Sequence, residues 1–215
     1  MRLLCLSAAN ILHKEKTEST SYKICEIIIA EIQKKISSIE SSITDLRDCE
    51  LTPCTGCGRC YASKRCAVDS TFNQIYEYII SSDLLFIVSP HYAPIPAKLC
   101  MILEKMEQIT FLHWGKDNSY KSEVHGIVTG VISHGGGSDW ALKSYKCMVN
   151  DTIANALDTI QLKLIPLDRE WNTGIALPIR NVKNSDDSIF PIQEYNWRDL
   201  TERIRKYIEA VIKAL

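Results

Sequence analysis

Four cysteines, Cys54, Cys57, Cys60 and Cys66, stand in the run CTGCGRCYASKRC, separated by gaps of two, two and five residues. Gaps of two let successive thiolates converge on one centre from a single tight loop, as iron–sulfur ligation requires. Gly56 and Gly58 flank Cys57 and are free to take the positive φ angles of such a wrap. Disulfides, a zinc knot and free thiols stay open as other readings. A two-residue gap strains a disulfide, and nothing else in the chain points to export. Structural zinc sites commonly pair two separated halves, not one compact run. Lys64 and Arg65 stand beside Cys66, where positive charge would stabilise a reduced, more negative cluster.

Three other stretches carry residues suited to binding. The first runs from Ser7, through Asn10, to Ser19, Thr20 and Ser21 just ahead of a helical pattern. Hydroxyls and free amides at a helix start hold phosphate, although Ser and Thr there also serve as plain caps. Neither GxxxxGK[ST] nor GxGxxG occurs, so a P-loop or a conventional dinucleotide fold is not expected. The second stretch, Ser89, Pro90, His91, Tyr92 and Ala93, follows an apolar run and offers amides and a flat aromatic surface to a planar ring. The third, Ser133, His134, Gly135, Gly136 and Gly137, has consecutive glycines that would let backbone approach a ligand closely. His91 and His134 are candidate donors to such a ring; turn chemistry accounts equally well for either stretch taken alone.

Hydrophobic patterning supplies the frame for these stretches. Apolar runs at 3–6, 39–46, 84–88, 124–132 and 162–167 read as strands. The unbroken run at 84–88 marks a central parallel strand buried on both faces. Helical spacing covers 22–35, 72–81, 96–108, 139–157 and 197–215, with Asp69, Ser70 and Thr71 as candidate caps for the second. Alternation of this kind predicts a doubly wound five-stranded parallel sheet with helices on both faces, in one domain over 1–215. Ligands of such sheets bind beyond the carboxyl ends of the strands, which is where the candidate stretches fall. The cysteine loop occupies 49–70. A long irregular segment, 169–196, reads as a lid, a subunit contact or a packed surface loop.

Composition narrows the class. Lys and Arg total 25 against 26 Asp and Glu, a net charge of −1, so no basic excess points to nucleic acid or to an anionic membrane surface. An odd count of nine cysteines, with no secretion signal and no run of membrane-spanning length, leads us to expect a soluble cytoplasmic protein with reduced or metal-bound thiols.

Together, the compact cysteine run, Asp69, the stretch DLLFIVSPHY at 83–92 and the helix PAKLCMILEK at 96–105 resemble the iron–sulfur flavoproteins of the flavodoxin-like NAD(P)H-dependent FMN reductases. The resemblance spans roughly 1–165. It implies sheet order 2-1-3-4-5, with FMN phosphate in the loop from Ser7 to Ser21. The isoalloxazine would lie between Ser89–Ala93 and Ser133–Gly137, and a 4Fe–4S cluster on Cys54, Cys57, Cys60 and Cys66. It also implies a homo-oligomer, dimer or tetramer, that exchanges electrons with NAD(P)H, another small molecule or a ferredoxin-type partner. A cluster-free NAD(P)H-dependent FMN or quinone reductase and a non-enzymatic redox or metal-binding module are the alternatives. The first loop lacks the family's arginine and carries His13, Lys14 and Lys16; the helix after Pro96 carries Cys100, Glu104 and Lys105.

Overall fold

A computed structural model of the protein describes residues 1–10, 19–92, 94–185 and 188–215; His13, Lys14, Lys16 and Ala93 lie outside the described residues. The expected sheet is present, with parallel strands in the order β2-β1-β3-β4-β5. Strand β1 (Arg2–Ser7) sits between β2 (Glu40–Asp45) and β3 (Leu84–Pro90), and β4 (Val128–His134) lies outside β3. Every residue of β3 and β4 is buried, as expected of strands covered by helices on both faces.

Alternation along the strands divides the core in two. Leu3, Cys5 and Phe86 point to one face and pack on α1 (Thr20–Gln33) and α7 (Trp197–Ile212). Leu4, Leu6, Leu85 and Ile87 point to the other face. They meet α3 (Ser70–Ile80), α4 (Ala97–Trp114) and α6 (Asp151–Ile160). Each of these fully buried side chains contributes ~1.5–3 kcal/mol. Tyr207 of α7 joins its face to the sheet: its hydroxyl donates to the Ile165 carbonyl (2.8 Å) and accepts from the Val131 amide (3.1 Å).

The fifth strand departs from expectation. In place of one strand over 162–167, β5 (Lys163–Leu164) pairs with Val128 and Thr129, and β6 (Ile175–Leu177) pairs with Ile132, Ser133 and His134. Two short segments thus share one edge of β4. Lys163 and Ile165 donate to β4, to Ile127 and Thr129, but Leu167, the next amide facing β4, donates to the Trp171 carbonyl and turns the chain away. The chain returns at β6, so the segment 169–196 is not irregular throughout. It also holds an antiparallel hairpin, β7 (Asn181–Ser185) and β8 (Ser188–Glu194).

Strand β4 begins later than the apolar run suggested, because residues 123–126 form a turn with Gly126 at φ +80°. The expected helix over 139–157 is a 3₁₀ turn at Asp139–Ala141, a short α5 (Leu142–Tyr145), a π turn at Lys146–Asn150 and then α6. Ser89, Pro90, Ser133 and His134 are strand ends in register with one another, Ser89 beside Ser133 and Pro90 beside His134. The rigid ladder therefore fixes their spacing, which a loop would not.

Candidate functional site

Strand order reverses between β1 and β3, and ligands of such sheets bind beyond the carboxyl ends of the strands at that point. Three buried polar atoms around this end find no hydrogen-bond partner among the described residues: Ser7 Oγ, His91 Nε2 and His134 Nδ1. Buried polar groups are ordinarily paired, so this set, one from each of β1, the end of β3 and the end of β4, fits a polar ligand. Ser19 caps α1 by accepting from the Tyr22 amide at 3.5 Å. Ser21, fully buried, is bonded through Oγ to His134 Nε2 at 2.7 Å. That contact ties the first stretch to the third. Burial pushes the His134 imidazole down to about 3, so the ring is neutral at physiological pH.

The structure gives other predicted residues different work. Ser89 Oγ donates to the Pro90 carbonyl (3.1 Å), and Ser133 Oγ donates to the Ile175 carbonyl at 3.5 Å. Both hydroxyls are turned to backbone. Asn10 is exposed at the start of its loop. At the glycines, the space on the Cβ side is taken by Tyr145 and its neighbours. A Cβ at Gly135 would lie 2.7 Å from the Tyr145 ring, and one at Gly137 would lie 2.4 Å from the Ala141 Cβ. The Gly137 amide donates to Tyr145 Oη at 2.5 Å. A Cβ at Gly136 would come within 3.2 Å of Gln193 Nε2 on β8, and the Ile179 amide donates to the Gly137 carbonyl. The 169–196 segment therefore packs on the glycine loop.

Aromatic residues complete this end. His91 lies 5.6 Å from the Tyr145 ring. Burial raises the phenols of Tyr92 and Tyr145, and pushes Tyr195 up to about 12. Sequence reasoning missed Tyr145, Tyr195 and Gln193, because ordinary helix and hairpin residues carry no local signal of what they meet across the fold.

The cysteine loop leaves β2 through a 3₁₀ turn at Leu46–Asp48 and re-enters the frame at α3. Gly56 and Gly58 have φ of +65° and +68°, as expected of the wrap around Cys57. Cys60 opens a one-turn helix, α2 (Cys60–Ser63), and Asn73 grips Cys66, accepting from its amide and donating to its carbonyl at 2.7 and 2.8 Å. Cys54, Cys57, Cys60 and Cys66 line one small open cavity. Phe72 of α3 and Lys105, Gln108 and Ile109 of α4 complete the wall.

All nine cysteines are free thiols. The four at the cavity influence one another: burial raises the Cys60 thiol, and Cys54, Cys57 and Cys66 add to the rise. Cys57 is lowered to about 7 by hydrogen bonds from the Arg59 backbone and side chain and from Thr55. The Gly56 amide donates to Cys54 Sγ at 3.5 Å. Among the described residues, no group of three or more His, Cys, Asp or Glu side chains is placed to hold a metal ion. The four thiols that share this lining, with an amide donor to one sulfur, form a donor set of the chemistry that thiolate-held metal groups use.

Asp69 and Lys105 secure the loop. Asp69 Oδ1 caps α3 by accepting from the Phe72 amide (2.8 Å), and Oδ2 accepts from the Thr52 amide (2.9 Å) and hydroxyl (3.2 Å). Lys105 Nζ donates to the same Oδ2 and to the Thr52 carbonyl, with both side chains almost fully buried. Burial raises the Asp69 carboxyl, but Lys105 and the Phe72 and Thr52 amides outweigh it, so the carboxyl stays below its ordinary range. Arg65, beside Cys66 in sequence, is paired with Glu77 (2.5 Å) and Glu123 (2.7 Å).

The sheet order and its helical layers define a flavodoxin-like α/β protein, and comparison identifies its family. A sequence profile of the NADPH-dependent FMN reductases matches residues 1–150, and the chain belongs to that family, a class of flavin-dependent oxidoreductases. No curated protein sequence matches it. Solved structures similar over the whole chain include flavone reductase (13% identity, TM-score 0.59) and RosB with bound 8-demethyl-8-formylriboflavin-5'-phosphate (13%, 0.60). An NADH:FMN oxidoreductase in its apo form is another (11%, 0.59). The chain spans 63% of the flavone reductase, 78% of RosB and 89% of the NADH:FMN oxidoreductase. At such identities these likenesses speak for the fold. Among the described residues, no helix is long and apolar enough to cross a membrane.

Proposed function

We propose that the protein is an FMN-dependent oxidoreductase that also carries a 4Fe–4S cluster on Cys54, Cys57, Cys60 and Cys66, and relays electrons between a reduced donor and an acceptor. The observation that carries the cluster is the convergence of these four cysteines, and no other titratable residue but Lys105, on one cavity of a flavin-reductase fold. When bound, FMN supplies two-electron chemistry and the cluster one-electron transfer. The chain's own part is to bind and orient. Ser7 and the Ser19–Ser21 helix start offer hydroxyls and amides to the phosphate end. Fixed by Ser21, His134 offers Nδ1 to the ring end, with His91 Nε2 beside the Tyr145 ring. With Ser21 donating to Nε2, the single proton of the neutral imidazole sits on Nδ1, which then acts as a donor. NAD(P)H is the donor that family membership favours. The reading extends to a homo-oligomer, for which the exposed Phe111, Trp114, Trp140 and Met148 supply apolar surface.

A cluster-free NAD(P)H-dependent FMN or quinone reductase is the second reading, favoured by the family match, which concerns the flavin core alone. Cys54→Ser separates the two. Under the first reading, anaerobically purified Cys54→Ser protein loses iron and brown colour, keeps its FMN, and transfers electrons to one-electron acceptors more slowly. Unchanged turnover and an unchanged spectrum support the second.

A further inference from the structure

Lys105 is a buried cation in an unusual position. It lies in the middle of α4, is 3% exposed, and shares the cavity wall with the four cysteines. Burying an ammonium is costly unless it is paired and hydrogen-bonded, and the fold provides both through Asp69 and the Thr52 carbonyl. The Phe72 ring lies 5.3 Å from Nζ on another side. Thr52 precedes Cys54 by two residues and Asp69 follows Cys66 by three, so one ion pair grips the loop at both ends.

Other charges near the loop are exposed or paired. Arg59 is exposed and bonds the exposed Cys57, Arg65 is held by Glu77 and Glu123, and Lys64 lies over the Tyr120 ring at 5.5 Å. Glu104 Oε2 accepts from the Cys54 amide at 3.3 Å. Lys105 at the wall and Asp69 behind it are opposed charges that are buried.

We propose that the Asp69–Lys105 pair is a positioning and tuning device for the group held by the cysteines, with Lys105 raising its reduction potential and Asp69 opposing that effect. The inference rests on the proposed cluster. Reduction adds one negative charge to a cluster. A neighbouring cation stabilises the reduced form more than the oxidised form, a neighbouring anion does the reverse, and a dry wall screens neither as water would.

The test is a potentiometric titration of the cluster, followed by electron paramagnetic resonance, in the wild type, Lys105→Gln and Asp69→Asn. Glutamine keeps a donor for the Thr52 carbonyl and removes the charge. The expected result is a fall in potential for Lys105→Gln and a rise for Asp69→Asn, each equivalent to at least about tenfold in the reduction equilibrium, ~59 mV for one electron. Opposite signs are diagnostic, because a merely structural pair would loosen the loop and shift both variants in the same direction. Shifts of one sign, no shift, or loss of iron from both variants while FMN is retained would overturn the proposal. If neither variant folds, Lys105→Arg, which keeps the charge but displaces it, decides the matter: a potential equal to wild type overturns the tuning role, and a measurable shift upholds it. Wild-type protein without iron would count against the cluster itself, a failure distinct from these.

Discussion

Protonation of His134 gives a sharp test of the crevice. The imidazole is buried at the end of β4, bonded through Nε2 to Ser21, and depressed from 6.5 to about 3 by desolvation. The unfolded chain therefore binds a proton between pH 6.5 and 3 that the folded chain refuses. Stability contributed by the neutral ring is fully present above pH 6.5 and is lost as pH falls towards 3. Each unit between the two values is worth ~1.4 kcal/mol, so roughly 3 kcal/mol is lost by pH 4.5. His134→Gln keeps an amide near Ser21 and does not titrate. Urea unfolding of both proteins at pH 7.0 and 4.5, without added FMN, isolates the term, because the carboxylates they share cancel in the difference. For a slope of ~2 kcal/mol/M, the wild-type midpoint should fall on the order of 1 M further than that of the variant. A constant separation between the two midpoints at both pH values would refute the buried neutral histidine, and with it the donor role given to Nδ1.

Other perturbations follow from the same contacts. Tyr207→Phe leaves the Ile165 carbonyl and Val131 amide unpaired in the core; it should cost ~2–4 kcal/mol in denaturant unfolding while FMN content stays at the wild-type level. Gly58→Ala forces a side chain into φ +68°, where the loop has open space but L residues are strained. It should cost ~1–2 kcal/mol and appear as lower iron retention with unchanged flavin. Ser21→Ala frees His134 Nε2 and should weaken FMN binding by about five- to tenfold, the worth of one hydrogen bond, in fluorescence titration.

Residues that act through local rules were legible in the sequence. Unbroken apolar runs marked β3 as a central strand, and the alternation of elements gave a parallel sheet whose order the family resemblance supplied. Gly56 and Gly58 adopt the backbone their spacing demanded, and Asp69 caps α3 as its type and place indicated. What escaped depends on contacts between distant segments. Tyr145 fills the space that a Cβ would need at Gly135 and Gly137, a second reason for glycine there that the sequence does not show. Lys105 reads as one more charge on an amphipathic helix until α4 is laid against the cysteine loop. Arg65, the obvious cation in sequence, is drawn off by Glu77 and Glu123, the latter 58 positions away. The split fifth strand also escaped, since the run 162–167 stays apolar while the amide that would extend its ladder, Leu167, is taken by the Trp171 carbonyl.

The claim that FMN and a cysteine-held cluster share this chain is tested most directly by one sample. Protein purified without oxygen is examined by ultraviolet–visible spectroscopy, and its FMN, iron, sulfide and zinc are quantified. The account expects flavin bands over a broad brown shoulder, with about four irons per chain. A clean yellow flavin spectrum with neither iron nor sulfide would contradict it, and would leave Cys54, Cys57, Cys60 and Cys66 as structural thiols on a simple flavin reductase.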